Sequence, residues 1–180
     1  MKKISSLIFL LVIIGFTACS PKYLASGAMH ASYNSANNYK VAIMPVHVAA
    51  AVKATNPDLA DRAYNMVNGE LIQVSNFQII DQATVKRKVA TLVFGGSEAD
   101  TEIEKKAALA VGANIAVRTN VTREKEGMPI LVEVTLYDVD NNIQLYYGKG
   151  RAANPLSVEA ETEAAVEFAF MEMKKKLGLL

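Results

Sequence analysis

Apolar residues in this chain follow two different periods, and these periods predict a domain of alternating strands and helices. Five segments have the apolar runs or the strict apolar-polar alternation that are typical of strands: 40–46, 77–80, 113–122, 130–139 and 143–149. The last two segments flank Asp140-Asn141-Asn142. Because Asp and Asn favour tight turns, we expect these two strands to form a hairpin.

Between the strands, apolar residues recur every three or four positions, which is the period of a helix that buries one side. Residues that commonly cap helices open four such segments: Asn56, Asp81, Asp100 and Ser157. Gly112 suits the end of the third helix. The connection at 47–55 contains three consecutive alanines and is either a loop or an added helical turn.

The order of these elements predicts the fold class. Two early strand-helix units imply right-handed crossovers between parallel strands, whereas the later strands form an antiparallel meander. We therefore predict an α/β fold, with a mixed sheet of about five strands and helices packed against it. The folded domain is expected to span residues 39–180.

Residues 1–18 have the order of a signal peptide. Lys2 and Lys3 precede a short apolar run, Leu7–Phe16, and small residues follow where a peptidase would cut. The run is short for a membrane-spanning helix, which needs about 20 residues. Cys19 lies where the new N-terminus would be, so the segment resembles a bacterial lipoprotein signal. We expect fatty acylation (palmitate) at Cys19; the alternative is an uncleaved anchor with a buried thiol.

The residues after the cysteine bear on where the protein would be held. In lipoproteins with this type of signal, an aspartate directly after the cysteine retains the protein in the inner membrane, so Ser20 points by resemblance to the outer membrane, facing the periplasm. Residues 19–38 are mostly small and polar and show no period, and we expect a lipidated, flexible tether. A flexible chain of about 20 residues reaches about 25 Å.

Charge and cysteine content exclude some classes of protein. The formal net charge of the chain is +1, and it becomes −1 without Lys2 and Lys3. This balance gives no electrostatic basis for binding nucleic acid. Because Cys19 is the only cysteine, an internal disulfide is not available and the core must stabilise the domain alone.

The candidate chemistry is sparse. Two histidines, His30 and His47, lie far from any second ligand in sequence, and the spacings of zinc sites do not occur. Neither Gly95-Gly96-Ser97 nor Gly148-Lys149-Gly150 has the context of a phosphate-binding loop. We predict no catalytic residue, no metal and no cofactor. Abundant carboxylates leave a cell-wall hydrolase with paired acidic residues as an alternative.

Three tyrosines cluster on the predicted hairpin: Tyr137, Tyr146 and Tyr147. One interpretation is that they are half-buried sheet residues, since tyrosine suits strands. The other is that they form an aromatic surface for a protein partner, because tyrosine is enriched at interfaces.

Four local motifs, in this order, resemble the CsgG/LpoB-like group of periplasmic lipoproteins: Val41-Ala42-Ile43-Met44-Pro45, Phe77-Gln78-Ile79-Ile80-Asp81, Ala108-Leu109-Ala110-Val111-Gly112-Ala113-Asn114 and Leu136-Tyr137-Asp138-Val139-Asp140. The resemblance covers about residues 39–178. It implies an α/β domain similar to anticodon-binding domains, used in the periplasm for protein interaction and not for catalysis.

The resemblance leads to a functional expectation. We expect an outer-membrane lipoprotein, anchored by Cys19, whose periplasmic domain binds another envelope protein. One branch of the group forms a secretion pore, so a second expectation is a homo-oligomeric ring that serves a curli-type secretion apparatus. The pore itself would need further barrel strands of about 9–11 residues, and the one long hairpin here is already required by the core sheet.

Overall fold

The computed structural model describes residues 24–93, 101–152 and 157–180. Its strands are β1 (Leu24–Met29), β2 (Tyr39–Ile43), β3 (His47–Val48), β4 (Phe77–Ile79), β5 (Ile115–Thr122), β6 (Ile130–Asp138) and β7 (Ile143–Ala152). Its helices are α1 (Ala50–Thr55), α2 (Leu59–Leu71), α3 (Gln82–Leu92), α4 (Thr101–Ala110) and α5 (Val158–Leu177). Within these ranges, no helix is both long and apolar enough to cross a membrane.

All the described strands join one mixed sheet, in the order β1-β7-β6-β5-β2-β4, with the short β3 paired to β5. β2 lies parallel to both β4 and β5, whereas β5, β6, β7 and β1 follow one another antiparallel. The predicted α/β class and mixed sheet are therefore confirmed. The expected number of about five strands is too low, because β1 and β3 add to the sheet.

The first of these additional strands lies inside the segment expected to be a flexible tether. β1 pairs antiparallel with β7, from Leu24 opposite Arg151 to Met29 opposite Tyr146. The expectation of irregular structure before Tyr39 is thus wrong for Leu24–Met29. The sequence hides this strand because its inward positions include Ala25 and Gly27, which carry no apolar side chain large enough to produce a period.

The sheet separates two cores. On one face, α2 and α5 bury the larger core with residues of β2, β5, β6 and β7. On the other face, α3 and α4 bury a smaller core over β2 and β5, which includes Met44, Val85 and Ala107. Helices therefore cover both faces at the parallel end of the sheet, as the right-handed crossovers require.

Helix α5 lies unusually close to β7, and glycines make this approach sterically feasible. A methyl group at Gly150 would overlap the main-chain oxygen of Ala165, and one at Gly148 would overlap that of Ala169. Gly148 also lies opposite Gly27 of β1, and this glycine pair leaves room for the ring of Tyr146. The Tyr146 hydroxyl donates a hydrogen bond of 2.5 Å to the main-chain oxygen of Ala169.

Several predicted helix ends are confirmed. Asp81 and Ser157 accept hydrogen bonds from the main-chain N–H groups of Thr84 and Ala160, and Gly112 has a positive φ of 75°. In the hairpin turn, the Asp138 carboxylate accepts from two main-chain N–H groups.

One expectation about the helices is corrected. Asn56 does not cap the start of α2, which begins at Leu59; it lies instead at the C-terminal end of α1, where its amide donates to the main-chain oxygen of Val52. Of the alternatives for 47–55, the structure has β3 followed by α1. Asp100 and Gly95-Gly96 lie outside the described residues.

The close packing of α5 on β7 predicts different effects for two glycine substitutions. Gly150→Ala should lower the free energy of unfolding by about 3 kcal/mol, because the new methyl group meets rigid backbone. Gly69→Ala is the matched control in α2, where a methyl group meets nothing within 4 Å. It should raise stability by up to about 1 kcal/mol. Urea unfolding of both variants measures these changes in the free energy of unfolding. Equal effects of the two substitutions would contradict the close packing of α5 on β7.

Candidate interaction surface

The three tyrosines of the hairpin do not form one surface. Tyr146 is 1% exposed and stacks against Phe170 of α5 at a centroid distance of 6.3 Å. Tyr147, the next residue, points to the opposite face of the sheet, because side chains alternate along a strand. Tyr137 is half-buried, with the ammonium of Lys105 5.6 Å from its ring centroid. The expected surface therefore loses Tyr146, which is more deeply buried than the half-buried position that the other interpretation gives it.

Tyr147 belongs to a hydrogen-bonded network across β6 and β7. Its hydroxyl donates to Oε1 of Glu133 at 2.6 Å, and the Lys149 ammonium lies 2.8 Å from the same oxygen. The Lys149 ammonium is also 5.7 Å from the centroid of the Tyr147 ring. Three side chains with hydrogen-bonding and aromatic groups are thus held in fixed positions by cross-strand contacts.

Strand register places further polar residues beside this network. Ser26 of β1 lies opposite Lys149, which in turn lies opposite Glu133. Towards the far end of β7, Arg151 pairs with Glu124 at 2.8 Å. We call these five residues, together with Tyr147, the polar sheet face. The helices on this side of the sheet pack over β2 and β5, so the polar sheet face lies beside them over β6, β7 and β1.

The network shifts the titration of its members. Burial raises the pKa of Glu133, but the hydrogen bonds from Lys149 and Tyr147 and the charge of Lys149 outweigh burial, so the pKa lies below its ordinary value. The hydrogen bond to Glu133 raises the pKa of Lys149. Burial, followed by the bond to Glu133, raises the pKa of Tyr147. Because the pKa of Glu133 is lowered and that of Lys149 is raised, this ion pair stays ionised at neutral pH.

The two histidines singled out from the sequence are not part of the polar sheet face. His30 follows β1 and its Nδ1 lies 2.9 Å from the Ser32 hydroxyl, while His47 begins β3 opposite Asn120. Gly148-Lys149-Gly150 lies inside β7, and its Lys149 belongs to the polar sheet face. Cys19 and Gly95-Gly96-Ser97 lie outside the described residues. Across the described ranges, no group of three His, Cys, Asp or Glu side chains is placed to hold a metal ion.

Sequence reasoning identified Tyr147 but missed its partners. Glu133 and Lys149 sit at alternating positions of two predicted hairpin strands, and opposite charges on neighbouring strands commonly pair. The two opposite charges are visible in the sequence, but predicting that they pair requires the register of the hairpin. A bulge between Leu136 and Tyr137 shifts that register, and the sequence gives no indication of the shift.

Comparisons with known proteins identify similar folds at low sequence identity. No protein-family model matches the sequence, and no curated protein matches it. Among solved structures, the chain is similar to a dodecamer of a PelC variant from Paraburkholderia phytofirmans. The match has 12% identity and a TM-score of 0.50, and it covers 82% of this chain and 96% of that one.

Two further structural matches have lower TM-scores. One is Escherichia coli LpoB, with 16% identity, a TM-score of 0.46, and coverage of 65% of this chain and 57% of that one. The other is lipoprotein GNA1162 from Neisseria meningitidis, with 14% identity, a TM-score of 0.45, and coverage of 78% and 93%. Of these structures, PelC is therefore the one that shows a shared fold.

The lowered pKa of Glu133 predicts a pH-dependent loss of stability in Glu133→Gln. At pH 7 the variant should be less stable by about 0.5–1 kcal/mol, because a partly exposed ion pair and a tyrosine hydrogen bond are weakened. A carboxylate with a lowered folded pKa stabilises above its unfolded pKa, and this contribution is lost as pH falls through the folded pKa.

Urea unfolding should therefore separate wild type and Glu133→Gln at pH 7, and the difference should shrink steadily as the pH is lowered below the ordinary pKa of a glutamate carboxyl. The exposed Glu126 provides the control Glu126→Gln, which should change stability little over the same range. A difference for Glu133→Gln that does not shrink as the pH falls would contradict the ion-pair explanation.

Proposed function

We propose that this chain is a non-enzymatic envelope lipoprotein, acylated at Cys19, whose α/β domain binds another envelope protein at the periplasmic side of the outer membrane. The observation that carries the proposal is the position of β1. This strand begins at Leu24, five residues after Cys19, and it is hydrogen-bonded into the sheet.

The position of β1 limits how far the domain can move from its anchor. A fully extended chain covers at most about 3.6 Å per residue, so Leu24 lies within about 18 Å of Cys19. A lipid at Cys19 would therefore hold this edge of the sheet beside the membrane. The longer reach expected from the sequence does not apply, because Leu24–Met29 is part of the fold.

The polar sheet face suits the proposed partner-binding role. It lies next to β1 and presents an aromatic ring, a carboxylate, an ammonium and a guanidinium, of which tyrosine and arginine are enriched at protein interfaces. Paired charges such as Glu133 and Lys149 specify orientation more than they add affinity. These groups fit a protein surface that is itself polar and of mixed charge.

The similar proteins support the proposal through their names. GNA1162 is called a lipoprotein, which agrees with the proposed anchor. The LpoB and GNA1162 matches have 14–16% identity and TM-scores below 0.5, so they indicate neither a shared function nor a partner. The partner is therefore described by the chemistry of the polar sheet face alone.

The anchor can be tested in cells by substitution at two neighbouring positions. Cys19→Ala should abolish incorporation of labelled palmitate and release the protein from the outer-membrane fraction, because the acylated thiol is gone. Ser20→Asp is the matched control: it should keep the label but move the protein to the inner membrane. Label that persists in Cys19→Ala would contradict acylation at this residue.

The binding face can be tested by photocrosslinking in intact cells. Benzoylphenylalanine in place of Tyr147 should give an adduct with a second envelope protein. The same group in place of Ile72, which is 62% exposed at the end of α2, should give none and serves as the control. No adduct from position 147, or equal adducts from both positions, would contradict binding through the polar sheet face.

A homo-oligomeric ring is the second candidate function. It is favoured by the PelC match, a dodecamer, and by β1, which ends the sheet order and so has one side without a sheet partner among the described strands. Native mass spectrometry of the full-length protein in detergent distinguishes the two. One high-order species would support the ring, and a monomer would support the single-copy binding module.

The non-enzymatic part of the proposal has its own test. The full-length protein, incubated with purified peptidoglycan, should release no soluble fragments. Fragment release that is lost on substitution of a carboxylate would instead support the hydrolase alternative.

A further inference from the structure

A cavity of about 420 Å³ lies behind the end of β2, away from the polar sheet face. Its walls come from the segment after β2 and from helices α1, α2, α3 and α4. Most of the wall is apolar: Pro45, Val46, Tyr64, Val89, Val93 and Ile103. Sites for small molecules in proteins have this size and this mainly apolar lining.

The place of this cavity in the fold is one where ligands commonly bind. From β2 the chain reaches β4 through α2 on one face of the sheet, and from β4 it reaches β5 through α3 and α4 on the other face. β2 therefore lies where the crossovers change sides. In open sheets with parallel strands, ligands bind in the crevice beyond the carboxyl ends of strands at such a point.

The charges at the rim favour an anionic ligand. Two carboxylates line the cavity, and each is already paired: Asp61 with the Lys86 ammonium at 2.6 Å, and Glu104 with the Arg118 guanidinium at 3.4 Å. Lys53 lines it as well, and no described residue forms an ion pair with its ammonium. The His47 ring adds a further nitrogen donor at the same rim. The four charged lining residues are balanced in formal charge, but because Arg118 outside the lining pairs with Glu104, the Lys53 ammonium is left at the rim without an ion-pair partner among the described residues.

We propose that this cavity binds a small amphipathic acid, with an apolar body against the walls and one anionic group at Lys53 and His47. The walls exclude water from the apolar body, and the ammonium compensates the negative charge at the entrance. The site is separate from the polar sheet face and does not require the lipid anchor. Its test and the tests of the proposed function can therefore fail independently.

The probe for this test is 1-anilinonaphthalene-8-sulfonate, which combines fused apolar rings with one sulfonate. It is titrated into the full-length protein in lipid nanodiscs, with empty nanodiscs as the blank, and fluorescence reports binding. Ala90→Phe fills the cavity from α3 and should weaken binding at least about tenfold. Ala83→Phe is the matched control, because Ala83 is exposed on the same helix and does not line the cavity.

The contribution of the Lys53 charge is tested separately from the effect of filling the cavity. Lys53→Glu should weaken binding of the sulfonate about tenfold but leave binding of the uncharged N-phenyl-1-naphthylamine within about twofold. Lys106→Glu, at an exposed position of α4 outside the cavity, should change neither. The proposal is overturned if Ala90→Phe binds the sulfonate as wild type does, if Ala83→Phe weakens it equally, or if Lys53→Glu affects both probes alike.

Discussion

The close approach of α5 to β7 is the constraint on which the rest of the structure depends. Gly148 and Gly150 carry no Cβ atom, so the helix backbone rests almost directly on the strand. This contact lets the buried Tyr146 reach a main-chain oxygen of the helix. Ion pairs then hold the helix at both ends: Arg123 with Glu161 at 2.5 Å, and Lys174 with Glu70 at 2.5 Å.

The same contact determines which face of β6, β7 and β1 is available to bind a partner. Because α5 covers one face of β6, β7 and β1, the alternate side chains of these strands must point the other way. Tyr146 and Tyr147 are neighbours in sequence, yet one stacks under the helix and the other bonds to Glu133. The side chains of these strands that do not point towards α5 therefore point to the opposite face of the sheet, and the polar sheet face, apart from Glu124, consists of side chains of this second set.

The sequence predicted most of the elements but not the contacts that depend on small residues. Apolar periods are produced by large side chains, so they predict β5, β6, β7 and the helices α2 to α5, together with the caps at Asp81 and Ser157. β1 is not predicted because Ala25 and Gly27 give no period, although the missing side chain of Gly27 is what leaves room for the Tyr146 ring. The cavity behind β2 was also missed, since its walls come from segments far apart in sequence and meet only after folding.

β1 also connects the proposed anchor to the core. Its inward side lies under α5, and the Lys176 ammonium at the end of that helix donates to the main-chain oxygen of Met29 at 3.3 Å. A force applied at Cys19 would therefore act on a strand paired along six residues with β7, and not on a loose chain. Because β7 also carries Tyr147 and Lys149, the orientation of the polar sheet face relative to the membrane would follow that of β1.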